Sequence, residues 1–191
     1  MPRLDSSDRL PFPTLADVVI SANPSEIERV VMDLHEQFRA PLLRYAYSLG
    51  ISVHDAEEVI QEVFLSLFRH LRLRRSQANL RGWLFRVTHN LALKQLCANQ
   101  RRDAMTTSDL SIVQEQLDPS PGPEEELSLA QKRHRLLAVV RALPETDRCC
   151  LMLRAEGLRY REIAAVLGIS LGAVSISLAR SLARLTRADG G

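Results

Sequence analysis

Long apolar runs are missing from this sequence. The run closest to the start, Val18 to Ile20, is far shorter than the ~20 residues that cross a bilayer. The opening stretch MPRLDSSDRLPFPTLADVVISANP also places acids ahead of that run, unlike a secretory signal. We therefore expect a soluble, cytoplasmic protein with no membrane insertion. Cysteine is scarce: Cys97, Cys149 and Cys150 make an odd number with no C-x-x-C pair, which argues against a disulfide framework or a thiolate zinc site. Cys149 and Cys150 fall on the apolar side of a helical pattern, so core packing is expected of them rather than redox sensing. Aromatics are few, at five Phe, three Tyr and one Trp, and strand-like alternation is rare. Abundant Leu, Ala, Arg and Glu favour an all-α protein. The five histidines (His35, His54, His70, His89, His134) are scattered, and no paired-carboxylate metal motif, nucleophile elbow or phosphate-binding glycine loop occurs. No catalytic centre, metal, cofactor or small-molecule substrate is expected.

What the sequence does have is segregated charge, hidden beneath a formal net charge of +2 over 191 residues. Met1 to Phe68 carries five basic and eleven acidic residues. Arg69 to Arg102 carries nine Lys or Arg and no acid, whereas Asp103 to Ala130 carries seven acids and no Lys or Arg. From Gln131 onward there are eleven basic and five acidic residues. Two basic blocks around an acidic spacer suggest two contacts with a polyanion.

Residues 1–24 hold Pro2, Pro11, Pro13 and Pro24 without helical period and read as a flexible tail. Ser25-Glu26-Ile27-Glu28 has the form of a capping box, so structure is expected to begin there. Ile27, Val30, Val31, Leu34, Phe38, Leu42, Tyr45 and Leu49 form an apolar face ending near Gly50, and Pro41 is placed to split the run into two helices. The next helix, Asp55 to Leu71, buries Ala56, Val59, Ile60, Val63, Phe64, Leu67, Phe68 and Leu71 on one side. Asp55, Glu57, Glu58, Gln61, Glu62 and Leu65 lie on the other. An acidic face near a helix start can simply be solvated; Leu65 exposed at its end tilts the reading toward a protein-docking surface.

Arg72 to Leu80 reads as a basic loop. A helix from about Arg81 to Arg102 then turns Trp83, Leu84, Val87 and Leu91 inward. Arg86, Asn90, Lys94 and Arg101 face outward, with Arg81 and His89 beside them, as a polar and basic face suited to phosphates and base edges. Trp83 is open to two readings, a core residue or a stacking surface for an unpaired base. Residues 103–126, with three prolines and seven acids, read as a linker dividing the chain into two small helical domains, 25–102 and 127–187, with 188–191 a tail.

The stretch Tyr160 to Arg187 has the pattern of a helix-turn-helix. Ile163, Ala164 and Leu167 make one apolar face, Gly168 permits the left-handed turn and Ser170 is the next cap. Val174, Leu178, Leu182 and Leu185 are expected inward. Ala173, Ser175, Ile176, Ala179, Arg180, Arg184 and Arg187 are expected outward.

DAEEVIQEVFLSLFRHL with NLRGWLFRVTHNLALKQL, followed by LPETDRCCLMLRAEGLRYREIAAVLGISLGAVSISLAR, resembles the second and fourth conserved regions of bacterial RNA polymerase sigma factors of the extracytoplasmic-function (ECF) group, sigma-70 family. The resemblance implies that Asp55, Glu57, Glu58, Gln61, Glu62 and Leu65 dock on the clamp of the largest subunit of core RNA polymerase. It implies that Asn79, Arg81, Trp83, Arg86, Asn90 and Lys94 open and read the minus-10 element of promoter DNA. Ala173, Ser175, Ile176, Ala179, Arg180 and Arg184 would read the minus-35 element, and the acidic linker would thread the RNA exit path. An anti-sigma factor that covers these faces is the further partner implied.

The recognition helix departs from the family pattern. Where family members usually read GTVKSRLHRAR, this chain reads GAVSISLARSL, with Ser175 and Ser177 in place of common cations and Leu182 at another often-basic position. Fewer phosphate contacts predict weaker or retuned minus-35 binding, with Ile176 and Ala179 available to thymine methyls or to a partner protein. The competing function is an autonomous helix-turn-helix regulator that does not bind polymerase, which would leave the Asp55 to Glu62 seam without a purpose.

Overall fold

The computed structural model describes residues 24–73, 78–105 and 125–189, with side chains for 24–73, 78–102 and 133–188. The tail before residue 24 and the centre of the acidic linker lie outside the described residues. Among the described residues there are seven helices and no strand. The chain is all-α.

Helix α1 (Pro24–Ser48) starts with a proline in its first turn, where a missing N–H breaks no helical bond. It then runs unbroken through Pro41, contrary to the expected split. An interior proline costs about 3 kcal/mol. The buried side chains around it, Phe38, Leu42, Leu43 and Tyr45, gain roughly 1.5–3 kcal/mol each, which outweighs that cost. Gly50, at φ 94°, reverses the chain. Helix α2 (Val53–Arg72) follows, N-capped by Ser52. Its whole expected apolar side is inward, with Val63 and Leu67 fully buried.

Helix α3 (Leu80–Met105) starts at Asn79, whose Oδ1 accepts a bond from the Gly82 amide at 2.9 Å. Leu84 is buried as expected, but so are Phe85, Thr88 and Ala92, so α3 is covered on more of its circumference than its pattern suggested. The reason is tertiary. Helix α6 (Tyr160–Leu167) packs on α3, and helix α5 (Glu145–Ala155) packs on α1. The two helical groups thus share one buried cluster that joins Tyr45 and Phe85 to Cys149, Leu153, Leu158 and Ile163. Both vicinal cysteines are core residues, as expected.

Helix α4 (Glu125–Arg141) and helix α7 (Leu171–Asp189) complete the second group, with α7 packed on α4, α5 and α6. Its inward row differs from the expected one. Val174 and Leu178 are buried, but Leu182 is 54% exposed and Ser177 and Ser181 are buried instead. Steps of four drift off a 3.6-residue period, so by the second step the inward position belongs to Ser181. The small serines let α5 approach closely; the Ser181 hydroxyl bonds back to the Ser177 carbonyl at 2.8 Å.

Candidate functional site

Three faces carry the sequence-predicted residues. On α2, Ser52 and Asp55 cap each other: the Asp55 amide donates to the Ser52 hydroxyl at 3.1 Å, and that hydroxyl donates to Asp55 Oδ2 at 2.7 Å. Asn99 and Gln95 of α3 also donate to the Asp55 carboxylate, at 2.9 and 2.8 Å. These bonds, the Ser52 one foremost, hold the carboxyl below its usual range despite partial burial. Asp55 thereby ties α2 to α3 and has little bonding capacity left for a partner. Glu57 pairs with Arg39 of α1 at 2.6 Å. Glu58 lies 3.3 Å from His54 and Glu62 3.3 Å from Arg69, both on α2 itself. Glu58, Gln61 and Leu65 are exposed and Glu62 half-buried beside them, so the solvent-facing stripe is Glu58, Gln61, Glu62 and Leu65, at i, i+3, i+4 and i+7.

On α3 the expected face divides. Arg86, Asn90 and Lys94 are exposed and line up at steps of four. Asn79 is spent on the helix cap. Trp83 is half-buried, its ring 4.7 Å from that of His70 on α2. Arg81 is turned into the contact between the helical groups, where its guanidinium donates to the backbone carbonyl of Glu156 and sits against Gly157. His89 turns inward as well: its Nδ1 lies 2.9 Å from the Tyr45 hydroxyl, and burial lowers its pKa against the opposing pull of Glu145. The Glu156 carboxylate takes a bidentate pair from Arg44, both bonds 2.8 Å.

The third face is the outer side of α6 and α7, which meet at a 105° bend. Gly168 ends α6 at φ 67°, a left-handed position that an L side chain rarely adopts. Ser170 Oγ accepts from the Ala173 amide at 3.1 Å and starts α7. Ser175, Ile176 and Ala179 are exposed; Ala173 and Arg184 are half-buried. Arg180 is held from below. Its Nε and Nη2 donate to Asp147 Oδ2 and Oδ1, both at 2.7 Å, and Asp147, in the first turn of α5, is completely buried. The Arg180 bond keeps the Asp147 carboxyl below its usual range in spite of desolvation. Sequence reasoning missed this residue. Asp147 stands 33 positions before Arg180, and only the packing of α5 on α7 brings them together.

A helical unit with a row of polar and basic residues facing water, followed by a unit that ends in a helix-turn-helix, is the architecture of a multi-site DNA-binding protein of the all-α class. Family comparison makes it specific. The family description "Sigma-70 region 2" matches residues 34–102 and "Sigma-70, region 4" matches residues 133–185. The chain belongs to the ECF sigma factors of the sigma-70 family. Among its relatives are the probable RNA polymerase sigma factor RfaY of Xanthomonas campestris pv. campestris and the ECF RNA polymerase sigma factor SigE of Mycolicibacterium smegmatis. RfaY is 32% identical over 140 residues, 72% of this chain and 35% of that protein. SigE is 32% identical over 155 residues, 80% of this chain and 59% of that protein. The chain therefore spans about a third and three-fifths of the lengths of these two relatives. Among solved structures, CnrH in complex with the cytosolic domain of CnrY aligns with a TM-score of 0.55 at 26% identity, covering 86% of this chain and 90% of that one. The sigma factor RpoE bound to the anti-sigma factor NepR, from Bartonella quintana, aligns at 0.62 and 22% identity, covering 84% and 96%, a likeness of fold. No single described helix is long and apolar enough to cross a membrane.

Proposed function

We propose that this chain is a transcription initiation subunit that binds core RNA polymerase and directs it to a dedicated promoter set. The observation that carries this reading is one chain, matched by both sigma-70 regions, in which a solvent-facing acidic and apolar stripe on α2 coexists with a helix-turn-helix. An autonomous DNA-binding regulator needs the second but has no use for the first. Glu58, Gln61, Glu62 and Leu65 dock on the polymerase clamp, with Asp55 and Glu57 holding α2 against its neighbours. Arg86, Asn90 and Lys94 face the minus-10 element, and Trp83 at their N-terminal end borders the unpaired strand. Arg81 joins them only after the contact with Glu156 opens, so engagement of promoter DNA and separation of the two helical groups go together. The outer face of α7 reads the minus-35 element. The protein acts in the cytoplasm and without a catalytic centre of its own, since polymerase supplies the chemistry. By extension from the sigma factor RpoE, solved with the anti-sigma factor NepR, an anti-sigma protein covers these faces when initiation is not required.

The test is in vitro transcription with purified core polymerase and a promoter-fragment library, with and without this protein. Start sites that arise only on its addition and share two spaced upstream motifs are expected. Glu58→Lys with Glu62→Lys is expected to abolish co-purification with polymerase while leaving the helical circular dichroism signal intact. Wild-type polymerase binding by that variant would return the reading to an autonomous regulator.

A further inference from the structure

Close packing holds α3 to its neighbours as far as Ala92. Leu80, Leu84, Phe85, Thr88 and Ala92 are buried, whereas among the described residues none from 93 to 102 is. That second half nevertheless carries Lys94 and Arg101, both exposed and neither in an ion pair among the described residues. A helix segment with few buried contacts opens at low free energy. Core packing therefore does not fix where these two cations stand, and a polar joint takes over. Asp55, in the first turn of α2, accepts from Gln95 Nε2 at 2.8 Å and from Asn99 Nδ2 at 2.9 Å. The carboxylate is itself held by the Ser52 hydroxyl at 2.7 Å, so the joint is anchored at a capped helix start. Gln95 and Asn99 are one turn apart, and Lys94 and Arg101 lie roughly 100–160° around the helix from them. Both donors in the joint are neutral amides, so it consumes no cation and leaves Lys94 and Arg101 to phosphates.

We infer that Asp55 is a positioning residue for promoter binding: through Gln95 and Asn99 its carboxylate holds the second half of α3 in place, so that Lys94 and Arg101 meet backbone phosphates in line with Arg86 and Asn90. The inference rests on the proposed minus-10 role of α3. It gives the carboxylate a task separate from the stripe Glu58 to Leu65, which faces solvent further along α2. Asp55 touches no DNA in this account and acts only through the two amides.

The experiment uses the full chain assembled with core polymerase on the strongest fragment of the promoter library. Two quantities are read for each variant: affinity for core polymerase, and affinity of the assembled complex for the fragment across a salt series. Asp55→Asn replaces one acceptor oxygen by an amide donor that faces the donors of Gln95 and Asn99. It is expected to leave polymerase affinity unchanged and to weaken fragment binding roughly tenfold, the factor for one lost hydrogen bond to a charged group. The slope of log affinity against log salt is expected to flatten by about two, one for each of Lys94 and Arg101. Lys94→Gln is expected to flatten the wild-type slope by about one and to add nothing in the Asp55→Asn background. Asp55→Asn with Asn99→Asp exchanges donor and acceptor across the same contact and is expected to restore both affinity and slope. Loss of polymerase binding in Asp55→Asn would make Asp55 a clamp contact or a general support of the fold, and would overturn the inference. An unchanged slope in Asp55→Asn, or a slope that the exchange fails to restore, would overturn it as well. Absence of any initiation by the wild-type complex would instead overturn the functional reading beneath it.

Discussion

His89, bonded to the Tyr45 hydroxyl, shows how a residue can look surface-bound in sequence and become a pH-sensitive part of the core. Burial depresses the His89 pKa, so the folded state favours the neutral ring, while an unfolded histidine titrates near 6.5. The unfolded chain therefore binds more protons between the depressed folded value and about 6.5. Stability is fully present above about pH 6.5 and is lost as pH falls through that window. Urea denaturation at pH 7 and pH 5 is expected to give a lower midpoint at pH 5, and His89→Gln is expected to shrink the difference. Thiol reactivity offers a second check. Burial pushes the Cys149 thiol up to about 11, with Cys150 raised by the same cause, whereas Cys97 is exposed. An aromatic disulfide reagent is expected to titrate one thiol in native protein and all three in denaturant.

At the scale of single elements, periodicity was legible wherever a helix meets its neighbours along one side. The inward face of α2 follows from its pattern alone, and so do Gly168 and Ser170 as the punctuation of the turn into α7. The Ser170 cap satisfies one free amide, so Ser170→Ala is expected to cost about 1 kcal/mol of unfolding free energy, read from urea midpoints at constant slope. Where the reading missed, the missing quantity was the size of the partner surface. Leu182 looked inward because leucine is apolar, but α5 lies so close to α7 that only Ser177 and Ser181 fit between them. Pro41 looked like a break because propensity was weighed without the burial around it.

For the whole molecule, the decisive feature is that the two helical groups are packed together around Tyr45, Phe85, Leu153, Leu158 and Ile163. The Arg44–Glu156 pair on its rim is bidentate, but Arg44 is 57% exposed, and a pair so open to water contributes about 0–1 kcal/mol at most. Arg44→Ala alone is accordingly expected to leave the small-angle X-ray scattering profile unchanged. Arg44→Glu with Arg81→Glu puts two like charges against Glu156 in place of two donors, and is expected to raise the radius of gyration. The same variant exposes the outer ends of α3 and α6, so faster amide exchange in both helices is the companion readout.

The sequence by itself determined the helical class, the apolar faces of α1 and α2, the placement of the helix-turn-helix and the stripe from Glu58 to Leu65, because each depends on residues within a few turns of one another. The roles of Arg81, Asp147 and Arg180 were decided by tertiary structure. Their partners stand 75 and 33 positions away, and a charge says nothing about which carbonyl or carboxylate will meet it until apolar burial has brought the two helices into contact.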